Sequence, residues 1–375
     1  MRLLKLLFPA CLMAAILAFI VPDVQAVKNP GEPDETVKIG LLIPDNKSVA
    51  AKYGAEMAIR KANEKGGYNG RPFQLVARSM EGTWGTGSKE AVNLIFEDEV
   101  WAIMGSHDGR NAHLVEQVTT KARIVFLSAW ASDPTLSQAF VPWYFSCVPN
   151  ALQQAATLID EIYNKRKINK IAAVSDKSYD SELALNSFAK KTKIAGKPDP
   201  LQFFYDKSGQ DFNDLLDQII KANVNCIIFF GQPSSTIKLI QLMRQRKMNQ
   251  LVFGALSLLD EKELSEKELK DYEDVVLITS GHWLRSMGLD FRQEFQRLYG
   301  YQPGAVAAYA YDGMNIIIEA IKNAGLDREK IQKSLARVQY EGVTGIIQFD
   351  DKGNRSGTCD LMGIKNGLPV AVKKD

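Results

Sequence analysis

The chain has 375 residues and a formal net charge of +2, with Lys and Arg nearly balanced by Asp and Glu. That balance gives no reason to expect nucleic acid as a partner. The length exceeds one ordinary hydrophobic core and suggests two domains.

The first 26 residues read as a leader. "MRLLK" is a short basic start, "LLFPACLMAAILAFIV" an apolar core, and "PDVQA" a small-residue cleavage pattern, so cleavage is expected after Ala26. A retained N-terminal anchor is the alternative reading. Removing Arg2, Lys5 and Asp23 with the leader lowers the net charge to +1. No other run of about 18 apolar residues occurs, so the mature chain is not expected to span a membrane.

Strand and helix signals then alternate. "TVKIGLLIP" is a buried strand by its continuous apolar run. A helix follows with Gly54, Ala58 and Ala62 on one face, suited to lying close on a sheet, and Gly66-Gly67 stop it. "FQLVARS", "VWAIMGS" and "RIVFLSA" are further strands, with helices between them. The pattern repeats through a helix at 151–165 and the strands "KIAAVSD", "LQFFY", "NCIIFFG", "LVFGA" and "VVLITSG". The rest is mostly helical to about residue 338, with strand-like "GIIQFD" and "CDLMGIKNGLPVAV" at the end. Alternation of this length predicts an α/β fold of doubly wound parallel sheets. Cys147, Cys226 and Cys359 read as buried free thiols, with a Cys226–Cys359 bridge as the alternative.

In such sheets ligands bind beyond the carboxyl ends of the strands. One strand end, "GSHDGRNAH", holds two of the three histidines. A metal reading would use His107, Asp108, His113 and Glu116, but no HExxH, CxxC or HxH spacing supports it. Neither Ser106 nor Ser128 lies in a G-x-S-x-G elbow, and "GTWGTG" lacks the lysine of a phosphate loop. No catalytic residue, metal or cofactor is therefore expected. Instead, a helix opening near Gly109 offers free N–H groups and a dipole to an anion, with the Ser106 hydroxyl and Arg110 guanidinium beside it. A solvated loop, with Asp108 as a simple N-cap, is the competing reading.

The segments "YGAEMAIRKANEKGGYNGRPFQLV", "VWAIMGSHDGRNAHLV", "RIVFLSAWASDPTL", "VSDKSYDSELAL" and "AAYAYDGMNIIIEAI" resemble successive signatures of type I periplasmic binding proteins. In particular they resemble the leucine/isoleucine/valine-binding proteins of ABC importers, from about residue 36 to 373. The resemblance implies two doubly wound parallel-sheet lobes joined by three hinge crossings, near Ser146–Asn150, Ser280–Trp283 and Arg355–Thr358. Residues 36–147 with 282–355 would form one lobe, and 148–281 with 356–375 the other.

It also implies a set of ligand contacts. The family's carboxylate-binding serine matches Gly109, which loses the hydroxyl but keeps a backbone N–H. The family's next turn matches "SAWASDP", which places contacts at Trp130, Ala131 and Ser132. The second lobe's tyrosine matches Tyr179, and a further contact falls near Gln232. The acidic residue that neutralises an ammonium falls at Leu256 or Ser257, neither of which is charged. A buried ammonium without a carboxylate is costly; Asp133 or Asp260 would have to substitute. Trp130, with Trp84 and Trp283 as possible neighbours, points to a flat or aromatic ligand unless these rings are core packing.

The function these features imply is a monomeric, non-enzymatic periplasmic substrate-binding protein serving a membrane ABC permease. It would capture a small organic acid first, or a branched-chain amino acid second. A periplasmic sensor subunit and an enzyme remain the other classes.

Overall fold

A computed structural model describes residues 36–372 apart from 140–141, 207–210, 261–268, 280–281, 285–287 and 358. The expected leader, Ser280 and Thr358 lie outside the described residues.

The first half of the chain builds a five-stranded sheet. Strands β1 (Val37–Ile43), β2 (Phe73–Ser79), β3 (Ala102–Gly105), β4 (Val125–Ser128) and β5 (Tyr144–Ser146) lie in the order β2-β1-β3-β4-β5. All its neighbours are parallel. Helices α1 (Val49–Glu64), α2 (Thr86–Phe96) and α3 (Gly109–Ala122) connect them. Strands β3 and β4 are buried along their whole length, as expected of a sheet covered on both faces.

After β5 the chain crosses to a second sheet. It passes through α4 (Ala151–Ile159), which continues as a π turn (Asp160–Lys165), then β6 (Ile171–Asp176), α5 (Tyr179–Ile194) and β7 (Leu201–Tyr205). Next come α6 (Phe212–Ala222), β8 (Cys226–Phe230), α7 (Pro233–Gln245), β9 (Leu251–Gly254) and β10 (Val275–Thr279). Helices α8 (Leu289–Tyr299), α9 (Ala305–Ala324) and α10 (Arg328–Leu335) follow, then a ribbon of β11 (Tyr340–Gly342) and β12 (Gly345–Ile347). The chain finally returns to the second sheet as β13 (Asp360–Lys365) and β14 (Leu368–Ala371). That sheet has the order β14-β13-β10-β9-β8-β6-β7.

Two features differ from the sequence reading. The second sheet is not wholly parallel, because β13 and β14 form an antiparallel hairpin on its β10 edge. The signal was present: Asn366 and Gly367 both take positive φ, as a two-residue hairpin turn requires. Secondly, the small face of α1 meets a helix rather than the sheet. A Cβ on Gly54 would lie 2.3 Å from the Ala307 carbonyl oxygen, so the α1 and α9 backbones touch there.

The first and last crossings run side by side. Ser146 N–H donates to Gly353 O at 2.8 Å, and Arg355 N–H to Ser146 O at 3.0 Å. The Arg355 guanidinium then donates to the carbonyls of Cys147 (2.9 Å), Thr344 (2.7 Å) and Ile346 (3.1 Å). Gly353 must be glycine here, with φ +79° and a would-be Cβ 2.2 Å from Tyr144 O. Cys147, Cys226 and Cys359 are buried and form no disulfide, and burial pushes their thiols up to about 12.

Candidate ligand-binding site

In the first sheet the strand order reverses at β1, with β2 on one side and β3 on the other. The loops leaving β1 and β3 therefore diverge and leave a crevice. A cavity of about 1260 Å³ opens there. Its near wall carries Lys47, Ser48, Ser106 and Trp130, from the loops after β1, β3 and β4. Its far wall comes from the second sheet: Leu259 and Asp260 beyond β9, and Met362 and Leu368 from the β13–β14 hairpin. Trp283, Leu284, Arg292 of α8 and Tyr301 close the side.

The lining is an apolar and aromatic frame with a few charges set into it. Lys47, Lys270 and Arg292 supply positive charge, and Asp260 supplies a carboxylate. Arg292 is half-buried and held by a 2.8 Å hydrogen bond to Leu284 O, which leaves most of its donors for other partners. Trp283 is buried, and its indole N–H has no hydrogen-bond partner among the described residues.

A second polar cluster lies at the start of α3. Asp108 caps the helix, its carboxylate accepting from Asn111 N–H at 2.9 Å. The Gly109 N–H points at α5 of the other sheet, where it donates to Asp180 Oδ1 at 3.1 Å and Oδ2 at 3.3 Å. Tyr179, the preceding residue, donates its hydroxyl to Asp133 Oδ2 at 2.8 Å. Asp133, whose side chain is 0% exposed, also faces His113 Nε2 at 3.1 Å and accepts from Thr135 Oγ1 at 2.6 Å. The Arg110 guanidinium sits over the rings of Tyr179 (5.2 Å) and Trp84 (5.7 Å).

These groups set one another's charges. Hydrogen bonds to Asp133 and then to Glu116 lift the His113 imidazole to about 9. Burial would raise Asp133, but its partners His113, Thr135 and Tyr179 outweigh it and hold the acid below its ordinary value. Burial, followed by the neighbouring Asp108 carboxylate, pushes Asp180 up to about 7 against the Gly109 hydrogen bond. His107 is buried against Phe126, and burial lowers its pKa. Its Nδ1 lies 3.1 Å from Asp108 O, the contact of a neutral ring that donates from that nitrogen.

A family model described as periplasmic binding protein matches residues 36–365. The chain belongs to the periplasmic binding protein family. Among curated relatives, Leu/Ile/Val-binding protein homolog 1 of Brucella melitensis is 24% identical, with 93% of each chain covered. The leucine-, isoleucine-, valine-, threonine-, and alanine-binding protein of Pseudomonas aeruginosa is 23% identical over 85% of this chain and 87% of that one. Among solved structures, the isoleucine complex of the substrate binding protein LivJ from Streptococcus pneumoniae matches with a TM-score of 0.79 and 20% identity, covering 90% of this chain and 98% of that chain. A solute binding protein of R. palustris in complex with benzoate matches with a TM-score of 0.77 and 18% identity, covering 90% and 95%. The two-sheet fold of this periplasmic binding protein is thus the type I fold.

Within this periplasmic binding protein, the contacts expected from the sequence separate. Ser106 and Trp130 line the cavity. Gly109, Arg110 and Tyr179 meet one another at the α3 cluster instead. The Gly109 N–H, expected to be open to a ligand, is taken by Asp180, and Arg110 is exposed against two rings rather than facing the cavity. The Ala131 N–H is taken by Ser128 Oγ at 3.1 Å, and Ser132 O accepts from Ala151 N–H at 2.8 Å. Gln232 N–H donates to Asp176, and the Ser257 hydroxyl donates to Gly231 O at 2.9 Å. Of the tryptophans, Trp283 joins Trp130 in the cavity lining, while Trp84 is exposed under Arg110.

Sequence reasoning overlooked Lys47, Arg292 and Asp180. Lys47 and Asp180 were in plain view, in the strand-end stretches "IPDNKS" and "SDKSYDS". Arg292 had no such signal, because it reaches the cavity from α8, which begins only at Leu289, well beyond the end of β10 at Thr279.

Proposed function

We propose that this periplasmic binding protein is the substrate-binding subunit of an ABC importer. It captures a small organic acid or amino-acid-like ligand in the cavity and delivers it to a membrane permease. The observation that carries this reading is the cavity itself. It lies at the strand ends of the two sheets, with three cationic side chains and one carboxylate on an apolar, aromatic frame.

An acid group fits Arg292 and Lys47, and a flat or branched apolar body fits Trp130, Trp283 and Tyr301. Asp260 supplies the carboxylate that Leu256 and Ser257 lack, so an α-ammonium is also accommodated. The neighbouring crossings at Ser146–Asn150 and Arg355 would be the hinge about which residues 36–147 with 282–355 and residues 148–281 with 356–375 close as two lobes. The leader ending at Ala26 would send the chain to the periplasm, and the protein would work as a monomer.

Mass spectrometry of ligand released from the purified protein, followed by calorimetric titration with benzoate, leucine and isoleucine, tests this. Unchanged acid or amino acid is expected in the released fraction, with saturable binding of one of the three probes. No co-purified ligand together with no binding of any probe would overturn it.

A further inference from the structure

Gly109 stands where the resembling family has a carboxylate-binding serine, and the structure supplies a physical reason. A Cβ at Gly109 would lie 2.8 Å from Asp133 Cβ and 2.9 Å from Asp180 Oδ1. Contacts that short do not persist, so a side chain at 109 and the Asp180 carboxylate cannot occupy their present places together. With glycine, both carboxylate oxygens of Asp180 come within hydrogen-bond reach of the Gly109 N–H, at the positive end of a 14-residue helix.

We infer that Asp180 is the protein's own occupant of the anion position at the start of α3, and that the ligand's acid group is taken inside the cavity by Arg292 instead. The inference rests on the binding-protein reading and specifies how its site selects ligands. Three further observations support it. The residues that line the cavity include Ser106 but not Gly109, Arg110 or Tyr179. The cluster is satisfied from within: Tyr179 bonds Asp133, Asp180 bonds Gly109, and Arg110 is stacked between rings. Both of those hydrogen bonds tie α5, which belongs to the second sheet, to elements of the first. Asp180 therefore acts as a specificity-determining residue in two ways. It shuts ligand carboxylates out of the α3 position, and it helps hold together the two walls between which the ligand sits.

Calorimetric titration of wild type, Asp180→Ala, Asp180→Asn and Arg292→Gln tests this, using benzoate or isoleucine, whichever binds wild type more tightly. Asp180→Ala loses the cross-sheet bond and is expected to bind about two- to tenfold more weakly. Asp180→Asn keeps an acceptor for the Gly109 N–H and recovers part of that loss. Arg292→Gln is expected to weaken binding about tenfold or more. If the ligand's acid instead competes with Asp180 for α3, Asp180→Ala binds more tightly than wild type, and that result overturns the inference, as does unchanged affinity. An Arg292→Gln variant that binds like wild type overturns the assignment of the acid group. Tightening by Asp180→Ala leaves the binding-protein reading standing, whereas wild type that yields no co-purified ligand and binds none of the three probes removes both.

Discussion

The pair of His113 and Asp133 allows a pH experiment with a definite sign. His113 lies on α3 with Nε2 3.1 Å from Asp133 Oδ2 and Nδ1 3.6 Å from Glu116 Oε2. These carboxylates, Asp133 first, raise the imidazole from 6.5 to about 9. At 1.36 kcal/mol per pH unit, that rise corresponds to ~3.4 kcal/mol of preference for the charged ring in the folded chain. The His113 side chain is 34% exposed, so solvent screens the interaction, and ~1–2 kcal/mol is the better expectation.

A pKa raised on folding contributes stability that is complete below the unfolded value, near 6.5, and is lost as pH rises through about 9. His113→Gln retains a donor for Asp133 but removes the charge. Urea unfolding followed by tryptophan fluorescence should show the largest gap between wild type and variant at about pH 6, shrinking to nearly nothing by about pH 10. Asp180 titrates near 7, but in both proteins, so it cancels in the difference to first order. Tyr179, pushed up to about 12 by burial and then by Asp133, stays protonated across this window. A gap that is constant with pH, or that widens as pH rises, would refute the assignment of His113 as a charged partner of Asp133.

Two other substitutions probe other links in the argument. Gly54→Val forces a side chain into the contact with Ala307 O and should lower stability by about 1–3 kcal/mol or more; an unchanged melting temperature would mean that α1 and α9 can separate without loss. Trp130→Ala removes a ring that lines the cavity and packs edge-on to Tyr309, and it should weaken benzoate binding more than isoleucine binding. Equal loss of both in the same titrations would make Trp130 a packing residue only.

The fold was legible because parallel sheets write themselves into a sequence. A strand covered on both faces must be apolar throughout, as "AIMG" and "CIIFF" are, and each is followed by a polar turn and a helix. The strand-end rule pointed to Ser106 and Trp130, because a loop that leaves a β-strand at the crevice has little choice of direction. The partner of the small α1 face was not legible. Gly54, Ala58 and Ala62 announce close approach by some backbone, but α9 begins at Ala305, some 250 residues later, and nothing local says that a helix rather than a sheet will arrive. Arg292 and the hairpin residues of the far wall were hidden for the same reason. Arg292 enters from α8, which follows β10, and the hairpin residues from strands that rejoin the second sheet only at the end of the chain.

The case of Gly109 separates seeing a departure from explaining one. The sequence displays the glycine, and comparison with a family displays the missing serine, but both suggest only an absence: one hydroxyl fewer for a ligand. The structure reverses the logic. The space left by the absent side chain is filled by Asp133 and Asp180, and the freed N–H is used rather than exposed. Gly109 and Asp180 are 71 residues apart in the chain, so neither is interpretable without the other. Taken together they make one device, in which a carboxylate belonging to the protein stands where a ligand's would. The charges that decide ligand choice must then be sought in the cavity lining, where Arg292, Lys47 and Asp260 stand.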